Sequence, residues 1–141
     1  MIIDTTYLFP LAGVGVDTDL LAAIAEKRAG IRFEDLSISM ISLFEIQAKN
    51  INLNIPSGLT ARGIAEINRG FRVQPFYNKE IIEVSYDLKK MLNDYIDCII
   101  LATAIVMKED LITEDSKIFD IRETIKEKFG IRIAKYADFV F

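Results

Sequence analysis

The segments Tyr95-Ile96-Asp97-Cys98-Ile99-Ile100-Leu101-Ala102-Thr103-Ala104 and, a few residues on, Leu111-Ile112-Thr113-Glu114-Asp115 carry the architecture of this chain. Asp94 offers an N-cap, and the residues from Tyr95 to about Lys108 are apolar on every face, which predicts a helix pressed against a sheet rather than one lying half in water. Asp110 to Thr113 is short and mostly apolar, as expected of a parallel strand covered on both sides. Helix thus feeds strand directly. Each also carries a carboxylate, Asp97 in the helix's first turn and Asp115 just past the strand.

The same alternation extends in both directions. Met1 to Asp4 is a β-branched run that predicts a central strand ending at its carboxylate, followed by a loop with Thr5 and Thr6. Asp17 and Thr18 offer an N-cap to a helix running toward Arg28, with Leu20, Leu21, Ile24 and Ala25 on one stripe and Gly30 as its stop. Leu36 to Ile41 reads as a second strand. A helix begins at Ser42 and runs to about Asn50, with Leu43, Phe44, Ile46 and Ala48 facing inward or nearly so. Pro56, Ser57 and Gly58 break the chain before a helix ending near Gly70. Phe71 to Phe76 is a strand interrupted by Pro75, and Asn78 caps a helix whose final turns carry Lys89 and Lys90, where the helix dipole favours cations. Ser116 to Lys128 holds one or two helical turns ending at Gly130, and Ile131 to Ala134 is a last strand. Strands alternating with helices predict an α/β fold, a three-layer α/β/α sandwich around a mostly parallel sheet, in a single domain spanning 1–141.

Composition removes more chemistry than it adds. The chain has no histidine, which excludes Ser-His-Asp and Cys-His nucleophiles, histidine general bases and every His-containing metal site. Its one cysteine, Cys98, excludes disulfides and thiolate clusters and reads as a small core residue. With 17 Lys+Arg against 21 Asp+Glu the net charge is -4, so a polyanionic partner needs a local basic patch or a bridging metal. The longest uncharged apolar run, Cys98 to Met107, is half the roughly 20 residues of a membrane span. Met1-Ile2-Ile3-Asp4 carries no basic leader, and a cytoplasmic location is expected.

What remains is carboxylate, hydroxyl, Lys and Arg chemistry. Asp4, Glu45, Asp97 and Asp115 each stand where an apolar run ends or turns over, and ligands of open parallel sheets sit beyond the carboxyl ends of the strands. Neighbouring strands would bring the four acids to one pocket. Each acid alone also has a structural explanation: Ser42-Leu43-Phe44-Glu45 matches a capping box, and Asp94 with Asp97 matches an acidic cap followed by a dipole-favoured carboxylate. Glu114 and Asp120 read as solvated loop acids, Glu114 being a weak candidate for supporting the site. Thr6 and Thr113 either orient water or a carboxylate, or satisfy local backbone groups. Acids sharing a pocket repel one another by several kcal/mol at an effective dielectric of about 20, and oxygen-only ligands select hard cations such as Mg2+ or Mn2+.

These motifs resemble the PIN-domain family of metal-dependent ribonucleases, in particular the small VapC-like toxins of toxin-antitoxin pairs. Ile2-Ile3-Asp4-Thr5-Thr6 is similar to the family's opening motif and Ser42-Leu43-Phe44-Glu45 to its second. Asp97 to Ala104 resembles the Asp-x-hydrophobic-hydrophobic-Ala-Ala-Thr-Ala segment, and Leu111 to Phe119 the Leu-x-Thr-x-Asp-x-x-Phe segment. The resemblance covers nearly the whole chain. It implies Asp4, Asp97 and Asp115 as metal ligands, Glu45 as the helix-borne catalytic acid, Thr6 as the small polar residue beside the first ligand, an RNA substrate, a homodimer, and an antitoxin protein that inserts a basic side chain into the acidic pocket. Two departures stand out. Glu114 occupies a place where many relatives carry Arg or Asn, and Leu101 replaces a small residue.

The expected activity is hydrolysis of RNA phosphodiesters at a Mg2+ or Mn2+ site, with Lys49, Arg62, Arg69 and Arg72 as candidate phosphate grips. The competing expectation is a catalytically weak or inactive module that acts by RNA or protein association, motivated by the acidic balance and Glu114. Phe139, Val140 and Phe141 would be costly to leave in water and are expected to pack on the sheet edge or a second subunit.

Overall fold

The computed structural model describes residues 1–141. Five short strands, β1 (Ile2–Ile3), β2 (Ser37–Ser39), β3 (Arg72–Gln74), β4 (Leu111–Ile112) and β5 (Ile133–Ala134), form one sheet in the order β3-β2-β1-β4-β5. All its pairings are parallel, with Ile2 opposite both Ser37 and Leu111, and Ile3 opposite Ile112. The sheet is the centre of a three-layer α/β/α sandwich.

Side-chain alternation along two central strands explains the layers. Ile2 and Leu111 point into a core shared with α4 (Lys79–Leu88), α5 (Tyr95–Met107), α6 (Ser116–Asp120) and α7 (Arg122–Phe129). Ile3 and Ile112 point into the opposite core, with the 3-10 helix Thr5–Ala12, α1 (Leu20–Ala25), α2 (Ile41–Asn52) and α3 (Ser57–Gly70). Successive residues of a strand face opposite sides, so two apolar residues per strand suffice to bind both layers. Cys98 is buried in the first core, and burial raises its thiol pKa, so it behaves as a small apolar residue. No helix is long and apolar enough to cross a membrane.

Several boundaries differ from those the sequence suggests. The cap of α1 is Asp19, whose carboxylate accepts from the Ala22 N–H at 2.9 Å, and the helix stops at Ala25 instead of continuing to Arg28. The supposed loop after Asp4 is a 3-10 helix with Pro10 inside it. Phe44, expected inward, is 58% exposed. The third strand ends at Gln74, ahead of Pro75, whose ring denies the ladder a donor. Phe139 and Val140 pack against the second core, and Val140 forms an antiparallel bridge with Ala29, whereas Phe141 remains exposed.

Chain order reverses at β1. From β1 the chain builds outward through β2 and β3, then returns to place β4 and β5 on the other flank. The crevice beyond the carboxyl ends of β1 and β4 is therefore the topological switch point, where ligands of such sheets bind.

Candidate active site

Asp4 follows β1 directly and is buried. Its Oδ1 accepts from the Thr5 N–H at 2.7 Å and its Oδ2 from the Thr113 hydroxyl at 2.6 Å. Desolvation outweighs both bonds and, with Glu45 and Asp115 nearby, raises its pKa from 3.8 to about 6. Asp115 follows β4 and caps α6, its Oδ1 accepting from the N–H groups of Lys117 and Ile118 at 2.9 and 3.1 Å. Oδ2 takes no part in the cap.

Asp97 stands in the first turn of α5, half-buried. The cap there is Asp94, which accepts from Ile96 and Asp97 N–H, and the Asp97 carboxylate itself has no hydrogen-bond donor that would lower its pKa. Desolvation, then the charges of Asp4, Asp94, Asp115 and Glu45, raise it to about 7. Glu45 is on the first turns of α2. Its capping-box explanation fails: α2 starts at Ile41 with no side-chain cap, and Ser42 instead accepts from the Thr5 hydroxyl at 2.9 Å. Strand ends and two helix starts thus bring all four acids within Coulombic reach of one another.

The chain's ion pairs all lie elsewhere, so no Lys or Arg answers this charge. No three acids are drawn together tightly enough to grip an ion as they stand. Asp4 and Asp115 are anchored by hydrogen bonds, while no hydrogen bond anchors the carboxylates of Asp97 and Glu45. An all-oxygen, uncompensated donor set fits a hard divalent cation in chemistry and charge, and Asp4, Asp97 and Asp115, with Glu45 beside them, are the residues that could hold one.

Three neighbours were illegible or misplaced from sequence. Thr5, rather than Thr6, makes the side-chain link, joining the end of β1 to α2. Glu114 is not a solvated loop acid: its Oε1 accepts from the buried Tyr7 hydroxyl at 2.8 Å and from the Tyr136 N–H at 2.7 Å, and burial with that acid beside it raises the Tyr7 pKa. Arg72 sits at the amino end of β3, the opposite edge from the acids, donating to the Glu34 carbonyl at 3.5 Å. Lys49 lies one turn beyond Glu45, with its Nζ 5.4 Å from the centre of the Phe9 ring, while Arg62 and Arg69 are exposed on α3.

The family model of the PIN domain matches residues 1–123. Among solved structures the chain is similar to a toxin-antitoxin complex from Klebsiella pneumoniae, at 24% identity over 84% of this chain and 88% of that one, TM-score 0.62. It is similar to FitAcB from Neisseria gonorrhoeae at 15% identity over 96% and 97% of the two chains, TM-score 0.66. VapBC-1 from nontypeable Haemophilus influenzae gives 18% identity over 96% and 97%, TM-score 0.65. At these identities the likeness is one of fold. No curated protein matches the chain. With the family model extending over most of its length and the same fold in its structural neighbours, the chain belongs to the PIN-domain family.

Proposed function

We propose that this protein is a metal-dependent endoribonuclease, the toxin of a type II toxin-antitoxin pair, hydrolysing RNA phosphodiesters at the carboxyl ends of β1 and β4. The observation that supports it most is Asp97: a half-buried carboxyl, raised to about 7 by desolvation and three acidic neighbours besides Asp94, with no protein cation to offset it. Such an arrangement costs stability and is retained where the charge serves a ligand. The family membership and the toxin-antitoxin complexes among its structural neighbours support the nuclease and the antitoxin partner.

A bound Mg2+ or Mn2+ would polarise the phosphodiester and make hydroxide available from water near neutral pH. The chain's own part is positional. Thr113 and Thr5 fix the two oxygens of Asp4, α6 fixes Asp115 by its cap, and Asp97 and Glu45 remain free to turn toward an incoming cation or water. A homodimer is proposed on the family resemblance.

Cleavage of structured RNA with and without Mg2+, comparing the parent protein with Asp97→Asn, tests this. Loss of the metal-dependent activity in the variant is expected. Equal activity in the two proteins would remove the mechanism, and no cleavage by the parent protein would leave the reading of an association module.

A further inference from the structure

One cluster of positive charge runs along the outer strand that flanks the acids, with Lys135 at its carboxyl end, on the acids' edge of the sheet, and Arg132 at its amino end. Lys135 directly follows β5 as Asp115 closely follows β4 and Asp4 follows β1. Its Nζ lies 4.1 Å from the centre of the Phe119 ring, and the Arg122 guanidinium carbon lies 4.2 Å from the same centre. Phe119 is one turn of α6 from Asp115, its N–H donating to the Asp115 carbonyl at 3.0 Å. Four residues of helix rise about 6 Å. Beside the ring, a cavity of about 260 Å³ is lined by Phe119, Arg122, Lys126 and Arg132 together with Glu123 and Asp138.

The two acids of that cavity are partly engaged. Asp138 accepts from the Lys135 N–H at 2.8 Å, and Glu123 sits 3.8 Å from Arg122. Lys126 and Lys135 are in no ion pair. A cation over an exposed aromatic ring gains only about 0.5–1 kcal/mol, which positions the charge without neutralising it. In a chain of net charge -4 this is a local reversal of sign at the flank of the acidic site.

We propose that Lys135, Arg122 and Lys126, gathered around Phe119, form a phosphate subsite for a single-stranded polynucleotide whose neighbouring backbone enters the acidic site. The proposal rests on the nuclease reading above. β5 is the outermost strand on this flank. Acids that repel a polyanion share an edge of the sheet with Lys135, which attracts it, and the two together register the strand as well as hold it.

The test is equilibrium binding of a short fluorescein-labelled oligouridylate to the Asp97→Asn protein, with and without Lys126→Ala plus Lys135→Ala, across a salt titration. Two lost phosphate contacts lower the slope of log affinity against log salt by about 1.4, at about 0.7 per contact, with several-fold weaker binding. Arg72→Ala, at the opposite edge, leaves both unchanged. Equal melting temperatures show that the double variant is folded, and Lys126→Arg plus Lys135→Arg restores the slope. If the parent cleaves RNA but the double variant binds and cleaves as the parent does, the subsite falls and the nuclease stands. If the Asp97→Asn protein binds no RNA and the parent cuts none, both fall. Binding of polyglutamate instead, lost in the double variant, would overturn the proposal in favour of an acidic protein partner.

Discussion

The Thr113 hydroxyl donates to Asp4 Oδ2 at 2.6 Å, tying the end of β4 to the end of β1 where the order of the sheet turns over. The Thr113 hydroxyl oxygen also accepts from the Asp115 N–H at 3.0 Å. One buried hydroxyl therefore sets the position of two acids. Thr113→Val keeps the shape of the side chain and removes both bonds. Because the bond lowers the Asp4 pKa, its loss raises that value further above about 6, and the unsatisfied groups cost about 1–3 kcal/mol. Carboxyl-carbon NMR titration and urea unfolding check the two effects, and Thr113→Ser should restore both.

Stability of the metal-free protein falls as pH rises from about 4 to about 7. Asp4 and Asp97 are raised from 3.8 to about 6 and about 7, so in that interval the native chain retains protons that the unfolded chain has released. The two groups favour the folded state fully below the unfolded value and lose that contribution as pH passes through the folded ones. With water screening half-buried Asp97, the loss is on the order of 1–3 kcal/mol. Mn2+ offsets the repulsion only when the acids are ionised, so its stabilisation grows with pH. Urea midpoints at about pH 5 and about pH 8, with and without millimolar Mn2+, measure this. No shift with metal at either pH would favour the association module.

Strand positions were legible because burial on both faces leaves a mark in sequence: Ile2-Ile3 and Leu111-Ile112 are uninterrupted apolar pairs, each followed at once by a polar residue. The cap of α1 was not, because Asp17, Thr18 and Asp19 are all acceptable caps and only backbone geometry selects Asp19. Ser42 was misassigned for a related reason. Its spacing to Glu45 satisfies a local rule, yet its actual partner, Thr5, is distant in sequence. Charged residues were least legible, since Arg72 and Lys135 look alike as letters and only the strand direction places them at opposite edges. Lys135 also lies beyond residues 1–123, where the family motifs are found.

Glu114 holds three elements together, accepting from Tyr7 on the 3-10 helix and from the backbone just past β5 while itself following β4. Glu114→Ala leaves the buried Tyr7 hydroxyl unpaired, at a cost of about 1–3 kcal/mol, and frees the loop that carries Asp115. Glu114→Gln retains an acceptor and removes the negative charge, so the Tyr7 pKa falls toward the ordinary tyrosine value while most stability survives. Ultraviolet titration of tyrosine and thermal unfolding of the two variants distinguish the roles. Equal melting temperatures for the parent and Glu114→Ala would show that the latch contributes nothing.

Gly63 lies within α3 where that helix presses on the 3-10 helix after Asp4. A Cβ there would stand 2.5 Å from the Leu11 carbonyl oxygen, 2.7 Å from Ala12 Cα and 2.9 Å from Ala12 Cβ. On an open helix face, Gly→Ala stabilises by up to about 1 kcal/mol. Here two backbones must separate, and the Ala12 carbonyl also accepts from the Asn50 amide at 3.2 Å, so movement would disturb α2 as well. Overpacking of this kind costs about 1–3 kcal/mol. Gly58, in the same helix, meets nothing within 4 Å, so Gly58→Ala should be neutral or stabilising. A lowered melting temperature is expected for Gly63→Ala and an equal or raised one for Gly58→Ala, and a stabilised Gly63→Ala protein would show that the two helices do not pack this closely.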